Sequence, residues 1–215
     1  CEDNAGNNMA SSPITWAYGV TTVPSRRRDL LPKTLASLRI AGFDTPRLFI
    51  DDCPLTQASE YVVTYGLPVS CHYPKLRVFG NWIVSLAELY IREPYAQRYA
   101  IFQDDIILYP NTRQYLDRLK LAEQTYWNLW TCPQNEDFLE SSGVIKNPKQ
   151  HNLSDIGFHP SNQLGRGALA LVFDRSAIFT LLTHMKMIER PLDLKRGHRA
   201  VDGGIVWTLR AENYT

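Results

Sequence analysis

Apolar positions along the chain fall into short strand-like runs and helical stripes that alternate through its first half. Thr15–Val23 has the branched and aromatic content of a strand and is stopped by Pro24-Ser25. Leu31, Leu35 and Leu38 recur at helical spacing, so Leu30–Ala41 is predicted to be a helix, capped by Ser25 or Asp29 and ended by Gly42. Arg47–Ile50 predicts a second strand finishing at Asp51-Asp52, Thr56–Tyr65 a helix closed by Gly66, and Val69–Tyr73 a third strand. Asn81–Arg92 is amphipathic, with Ile83, Leu86, Ala87 and Tyr90 on one face and Gly80 just before it. Tyr99–Leu108 is an apolar run that suits a buried strand, yet it contains Asp104 and Asp105. Asn111–Glu123 predicts a helix, Tyr126–Cys132 and Ala168–Phe173 strands, Ser176–Met187 a helix, and Val201–Ala211 a last helix. Glu136–Gln163 has little periodicity and is expected as a long loop over the sheet; basic Pro191–Arg199 is also expected as a loop.

This alternation predicts an α/β fold, a mostly parallel or mixed central sheet flanked by helices. Residues 1–12 are expected to be a loose polar tail, and residues 13–215 one domain with halves at about 13–110 and 111–215. The chain has 215 residues, 44% of them hydrophobic and 21% charged, as in soluble globular proteins. A net charge of +1 speaks against bulk nucleic acid or an anionic membrane as partner, and no apolar run reaches the length of a membrane span. Cys1, Cys53, Cys71 and Cys132 form neither a CxxC pair nor a zinc pattern, so buried thiols in a reducing compartment, the cytoplasm, are the expectation. Asn152-Leu153-Ser154 and Asn213-Tyr214-Thr215 match the glycosylation sequon, a pattern common by chance.

The acid pair carries the chemistry. A lone buried carboxylate is costly and is normally paired, hydrogen-bonded or metal-bound. Neighbouring strand side chains point to opposite faces, so the strand is expected to end near Gln103, with Asp104 and Asp105 on its C-terminal lip. Open α/β sheets bind ligands at that edge, and hard oxygen ligands there suit Mg2+ or Mn2+ shared with phosphates. Asp51-Asp52 repeats the theme at a second strand end. No GxGxxG or GxxxxGK[ST] motif is present; Arg26-Arg27-Arg28 follows the first strand instead, where arginines can meet a diphosphate or form a solvated turn.

In order, Thr21-Thr22-Val23-Pro24-Ser25-Arg26, the Leu-rich helix, the strand ending in Asp51-Asp52, Lys75-Leu76-Arg77-Val78-Phe79-Gly80-Asn81 and Gln103-Asp104-Asp105 resemble glycosyltransferases of the GT-A fold. Gln103-Asp104-Asp105 looks like their DxD motif with Gln at its first position. The resemblance implies a nucleoside diphosphate-sugar donor, a UDP-sugar foremost, and a hydroxyl-bearing acceptor. It assigns the first half to the donor, with Thr21, Val23, Arg26, Asp51, Gly80, Asn81, Gln103 and Asp104 around it. It implies an Mn2+ or Mg2+ ion on Asp105, with His198 a further candidate ligand. The second half is then expected to serve the acceptor, with Arg166 among the donor contacts. Asp202 is the first candidate for the base that takes the acceptor proton, and Asp137 is a rival. Asp202 can equally be a helix cap. The five tryptophans are expected in the core. A metal-dependent nucleotidyltransferase and a non-catalytic nucleotide-sugar or glycan-binding module remain as alternatives.

Overall fold

The computed structural model describes residues 13–130, 167–184, 192–193, 198–199 and 201–214, with the backbone alone for 192–193 and 198–199. The expected tail and the whole of the expected long loop, 136–163, lie outside the described residues.

Strand and helix alternate as the periodicity predicts: β1 (Trp16–Thr22), α1 (Leu30–Ile40), β2 (Arg47–Asp51), α2 (Ala58–Tyr65), β3 (Val69–His72), α3 (Arg77–Arg92), β4 (Arg98–Gln103) and α4 (Thr112–Arg118). Then follow β5 (Tyr126–Asn128), β6 (Ala170–Phe173), α5 (Arg175–Thr183), β7 (Leu192–Asp193), β8 (His198–Arg199) and α6 (Val201–Ala211). Six strands form one mixed sheet in the order β3-β2-β1-β4-β6-β5. β1 pairs in parallel with β2 and β4, and β2 with β3, while β6 runs antiparallel between β4 and β5.

The strand period of two divides the core. Tyr99 and Ile101 of β4 join Phe49, Trp82, Leu86, Phe173, Ile178 and Ile205 on the face covered by α3, α5 and α6. Ala100 and Phe102 join Val20, Leu31, Leu38, Phe43, Leu116 and Val172 on the other face, under α1 and α4. Among the described residues, no helix is long and apolar enough to cross a membrane.

Several boundaries differ from expectation, β5 for one stopping at Asn128 and β6 starting at Ala170, and some of the differences have a visible physical reason. α3 starts at Arg77, so Gly80 and Asn81 lie within the helix, as its fourth and fifth residues, rather than opening it. The cause is distant in sequence: both oxygens of Asp51 accept backbone N–H groups, from Leu76 (2.7 Å) and Arg77 (2.8 Å). α4 ends at Arg118, where the buried Arg98 guanidinium takes the carbonyls of Leu116 and Leu119. α5 begins one residue early because Asp174 Oδ1 accepts the Ala177 N–H at 2.7 Å. Basic Pro191–Arg199 holds the short antiparallel pair β7–β8 instead of being loop throughout. Among the tryptophans, Trp82 is buried, but Trp130 and Trp207 are 36% and 40% exposed.

A polar cluster ties α3 to the sheet. The His72 ring meets Asn81 Oδ1 at 2.6 Å through Nδ1 and Glu88 Oε1 at 3.1 Å through Nε2, and Ser70 and Arg92 donate to Glu88 Oε2. Burial alone would raise the Glu88 carboxyl, but hydrogen bonds from Ser70, His72 and Arg92 outweigh it and hold the group below its usual value. A depressed carboxyl contributes stability above the unfolded-chain value of about 4.3, and that stability disappears as pH falls through the lower, folded value. Glu88→Gln is therefore expected to be less stable than the native chain near neutral pH but to lose less stability on acidification. Urea denaturation at pH 7 and pH 3 checks this, and parallel losses would refute it.

Candidate functional site

β1 and β4 are adjacent parallel strands whose connections leave in opposite directions across the sheet. Such a reversal of strand order opens a crevice beyond the carboxyl ends of the two strands. β1 ends at Thr22 and passes through extended Val23 into a short 3-10 turn, Pro24–Arg26, which returns Arg26 over the strand ends. β4 ends at Gln103, and its register sets Thr21 beside Gln103. Thr22 and Asp104 are thereby brought level.

The two acids separate as strand geometry requires. Asp104 points inward and is 2% exposed. It accepts the Thr22 hydroxyl at 2.5 Å and Arg26 Nη1 at 2.6 Å. Arg26 and Thr22 thus supply the partners that a buried carboxylate needs. Asp105 sits outward, with 32% of its side chain exposed, and its Oδ2 meets the same Arg26 nitrogen at 3.0 Å. The hydrogen bond to Asp104, opposed by partial burial, raises the Arg26 guanidinium further above its usual value.

Asp105 opens onto a cleft of about 200 Å³ shared with Leu129, Trp130 and Ala170. That is less than the ~300–1,000 Å³ typical of small-molecule sites. Trp130 forms its aromatic wall. Gly167 stands against that wall: its φ is +85°, and a Cβ there would lie 2.3 Å from the indole ring. The glycine thus serves close packing of its own backbone on Trp130. Asp202, in the first turn of α6, accepts the Gly167 N–H at 2.8 Å, and Gln103 Nε2 donates to the Ala168 carbonyl at 3.1 Å. Gln103 and Asp202 therefore hold the 167–168 backbone from two sides. Gly167→Ala is expected to displace Trp130 and cost about 1–3 kcal/mol, the range for a strained backbone position. Tryptophan fluorescence and thermal unfolding read both effects; an unchanged spectrum would count against the contact.

Other predicted residues fall elsewhere. Thr21 donates to the Phe102 carbonyl at 3.3 Å and joins β1 to β4. Asp51 is 2% exposed with both oxygens taken by α3, and Asn81, 4% exposed, is bonded to His72. Both acids and amides at these positions build the frame behind the crevice. Gly80 is a helical residue packed on Leu76. His198 is the first residue of β8, and its side chain lies outside the described residues, as do Arg166 and Asp137. Sequence reasoning missed Thr22 and Trp130. Thr22 needed the β1–β4 register to be recognised, and an exposed tryptophan after a strand has the same sequence signature as a buried one.

Among the described residues, no group of three or more His, Cys, Asp or Glu side chains is arranged to hold a metal by itself. Mg2+ usually keeps several waters and takes one or two carboxylates plus substrate phosphates. Asp105 fits that role, being exposed and engaged at one oxygen. Asp104 does not, because both its oxygens are committed and it is buried. No family model matches the chain, and a search of curated proteins finds no match either.

Proposed function

We propose that the chain is a glycosyltransferase of GT-A type, moving a sugar from a nucleoside diphosphate, foremost UDP, to a hydroxyl acceptor. The observation that carries this reading is the convergence of Arg26 and Asp105 at the crevice beyond β1 and β4. A guanidinium and an outward carboxylate at a strand-order reversal suit a diphosphate that arrives with a divalent cation.

Arg26 is the phosphate-binding residue in this reading, kept at the lip by its bond to buried Asp104. Asp105 would hold Mg2+ or Mn2+. Such an ion, when bound, offsets the negative charge that builds on the departing diphosphate. Trp130 offers a ring face on which the apolar side of a sugar can lie. In the reaction, the bond between the sugar carbon and the diphosphate oxygen breaks, and a bond to the acceptor oxygen forms. The acceptor proton passes to a carboxylate, for which Asp202 is the first candidate, since its partner Gly167 abuts the aromatic wall of the cleft.

The test uses the chain with Mn2+ and a panel of nucleoside diphosphate-sugars, following nucleotide release. Release of UDP from at least one UDP-sugar is expected. Pyrophosphate released from a nucleoside triphosphate would replace this reading with nucleotidyl transfer. Donor binding without any turnover, even with glycan acceptors added, would replace it with a binding module.

A further inference from the structure

The ends of β2 and β3 carry a second constellation that the proposed reaction does not use. Ile50 pairs with Cys71 and Asp51 with His72 in the parallel ladder. The chain then turns at Asp52, whose φ of +58° is left-handed, and Cys53 N–H rejoins the ladder at the His72 carbonyl, 3.2 Å away. In an uninterrupted strand, Cys53 would face away from Ile50. The turn at Asp52 reverses that parity, so that Cys53 is buried in the same core cluster as Ile50, with Cys71 packed against it. The two sulfurs are 3.2 Å apart.

We infer that Cys53 and Cys71 form a disulfide that staples the end of β2 to β3. The backbone already holds the two residues side by side on one face, so closure to the ~2.05 Å of a disulfide needs small side-chain movement. Cys71 is half-buried and Cys53 fully buried, which sets the order of events. The Cys71 thiolate attacks one sulfur of a small-molecule disulfide such as glutathione disulfide, giving a mixed disulfide and releasing one glutathione thiolate. Cys53, after losing its proton to solvent, then attacks Cys71 Sγ and releases the second glutathione thiolate. Two protein thiols are oxidised to one disulfide, and one glutathione disulfide is reduced to two thiols. Burial, with the Cys71 contact, pushes the Cys53 thiol up to about 12, which makes Cys71 the entry point.

The inference reverses the expectation of buried thiols in a reducing compartment. It agrees with the sequon at Asn213, which is exposed just past α6. It also stands independently of the sugar-transfer reading, because neither cysteine lines the cleft.

The test starts from the folded 215-residue chain, freed of reductant and incubated with glutathione disulfide. Non-reducing proteolysis and mass spectrometry should recover a Cys53–Cys71 cross-linked peptide. The oxidised chain should melt roughly 5–10 °C above the reduced one, from the usual effect of closing a loop of this size. In Cys71→Ser, that oxidation-dependent difference should vanish. Cys53 and Cys71 both remaining alkylatable after treatment would overturn the inference, as would recovery of Cys71 joined to Cys1 or Cys132. The serine variant also separates a failed staple from misfolding, since it should melt with the reduced native chain.

Discussion

Asp105→Asn is expected to lower donor turnover by about a hundredfold to a thousandfold while shifting the melting temperature by only ~1–2 °C. The loss corresponds to about 3–4 kcal/mol of transition-state stabilisation, the scale of a removed electrostatic contact to a developing anion. The small stability change follows from geometry. Asp105 is about one-third exposed and shares Arg26 with Asp104, so an exposed ion pair worth about 0–1 kcal/mol is all that the fold loses. Asp104→Asn should behave oppositely. It strips charge from a buried carboxylate that anchors Thr22 and Arg26, and it is expected to destabilise the chain by about 3 kcal/mol. Nucleotide release and thermal unfolding, measured on both variants, separate the two roles. Full turnover by Asp105→Asn would remove the outward carboxylate from the mechanism.

The largest purely structural loss is expected at Arg98. The residue is 4% exposed, and its guanidinium donates to the carbonyls of Leu116 and Leu119 at 2.5 Å each and lies over the rings of Trp16 and Trp127 at 5.3 and 4.9 Å. Burial lowers its pKa, and nearby Asp117 only partly opposes this. Arg98→Met keeps much of the volume but leaves the Leu119 carbonyl without its donor, leaves the Leu116 carbonyl with only the Leu119 N–H at 3.0 Å, and removes the cation lying over the indoles. A loss of about 3–4 kcal/mol is expected, or roughly 6–16 °C in melting temperature for a chain of this size. Arg98→Lys should recover little, because one ammonium cannot reproduce the planar fork that reaches both carbonyls. A loss below about 1 kcal/mol in Arg98→Met would show that water replaces the guanidinium at the helix end.

These two sites differ in how readily they were legible in the sequence. The position of Asp105 followed from an apolar run that could not continue through two adjacent acids. The alternation of strands and helices followed from local periodicity, and helix α6 matches its predicted span from Val201 to Ala211. What depended on partners distant in the chain did not follow. α3 begins early because of a carboxylate 25 and 26 residues before its capped N–H groups. The antiparallel insertion of β6 between β4 and β5 has no local signature, so the surroundings of Gln103 and Trp130 were hidden with it. The pairing of Cys53 with Cys71 required the left-handed turn at Asp52, which a Cys count cannot supply.

The direction of β6 has one further consequence. β5 runs toward the Asp105 end of the sheet and hands on to Trp130, while β6 starts from that same end after Gly167. Trp130, which lines the cleft, and Gly167 are therefore neighbours at that end of the sheet. Chimeras joined at Trp130 and Gly167 should therefore keep every strand pair of the described sheet.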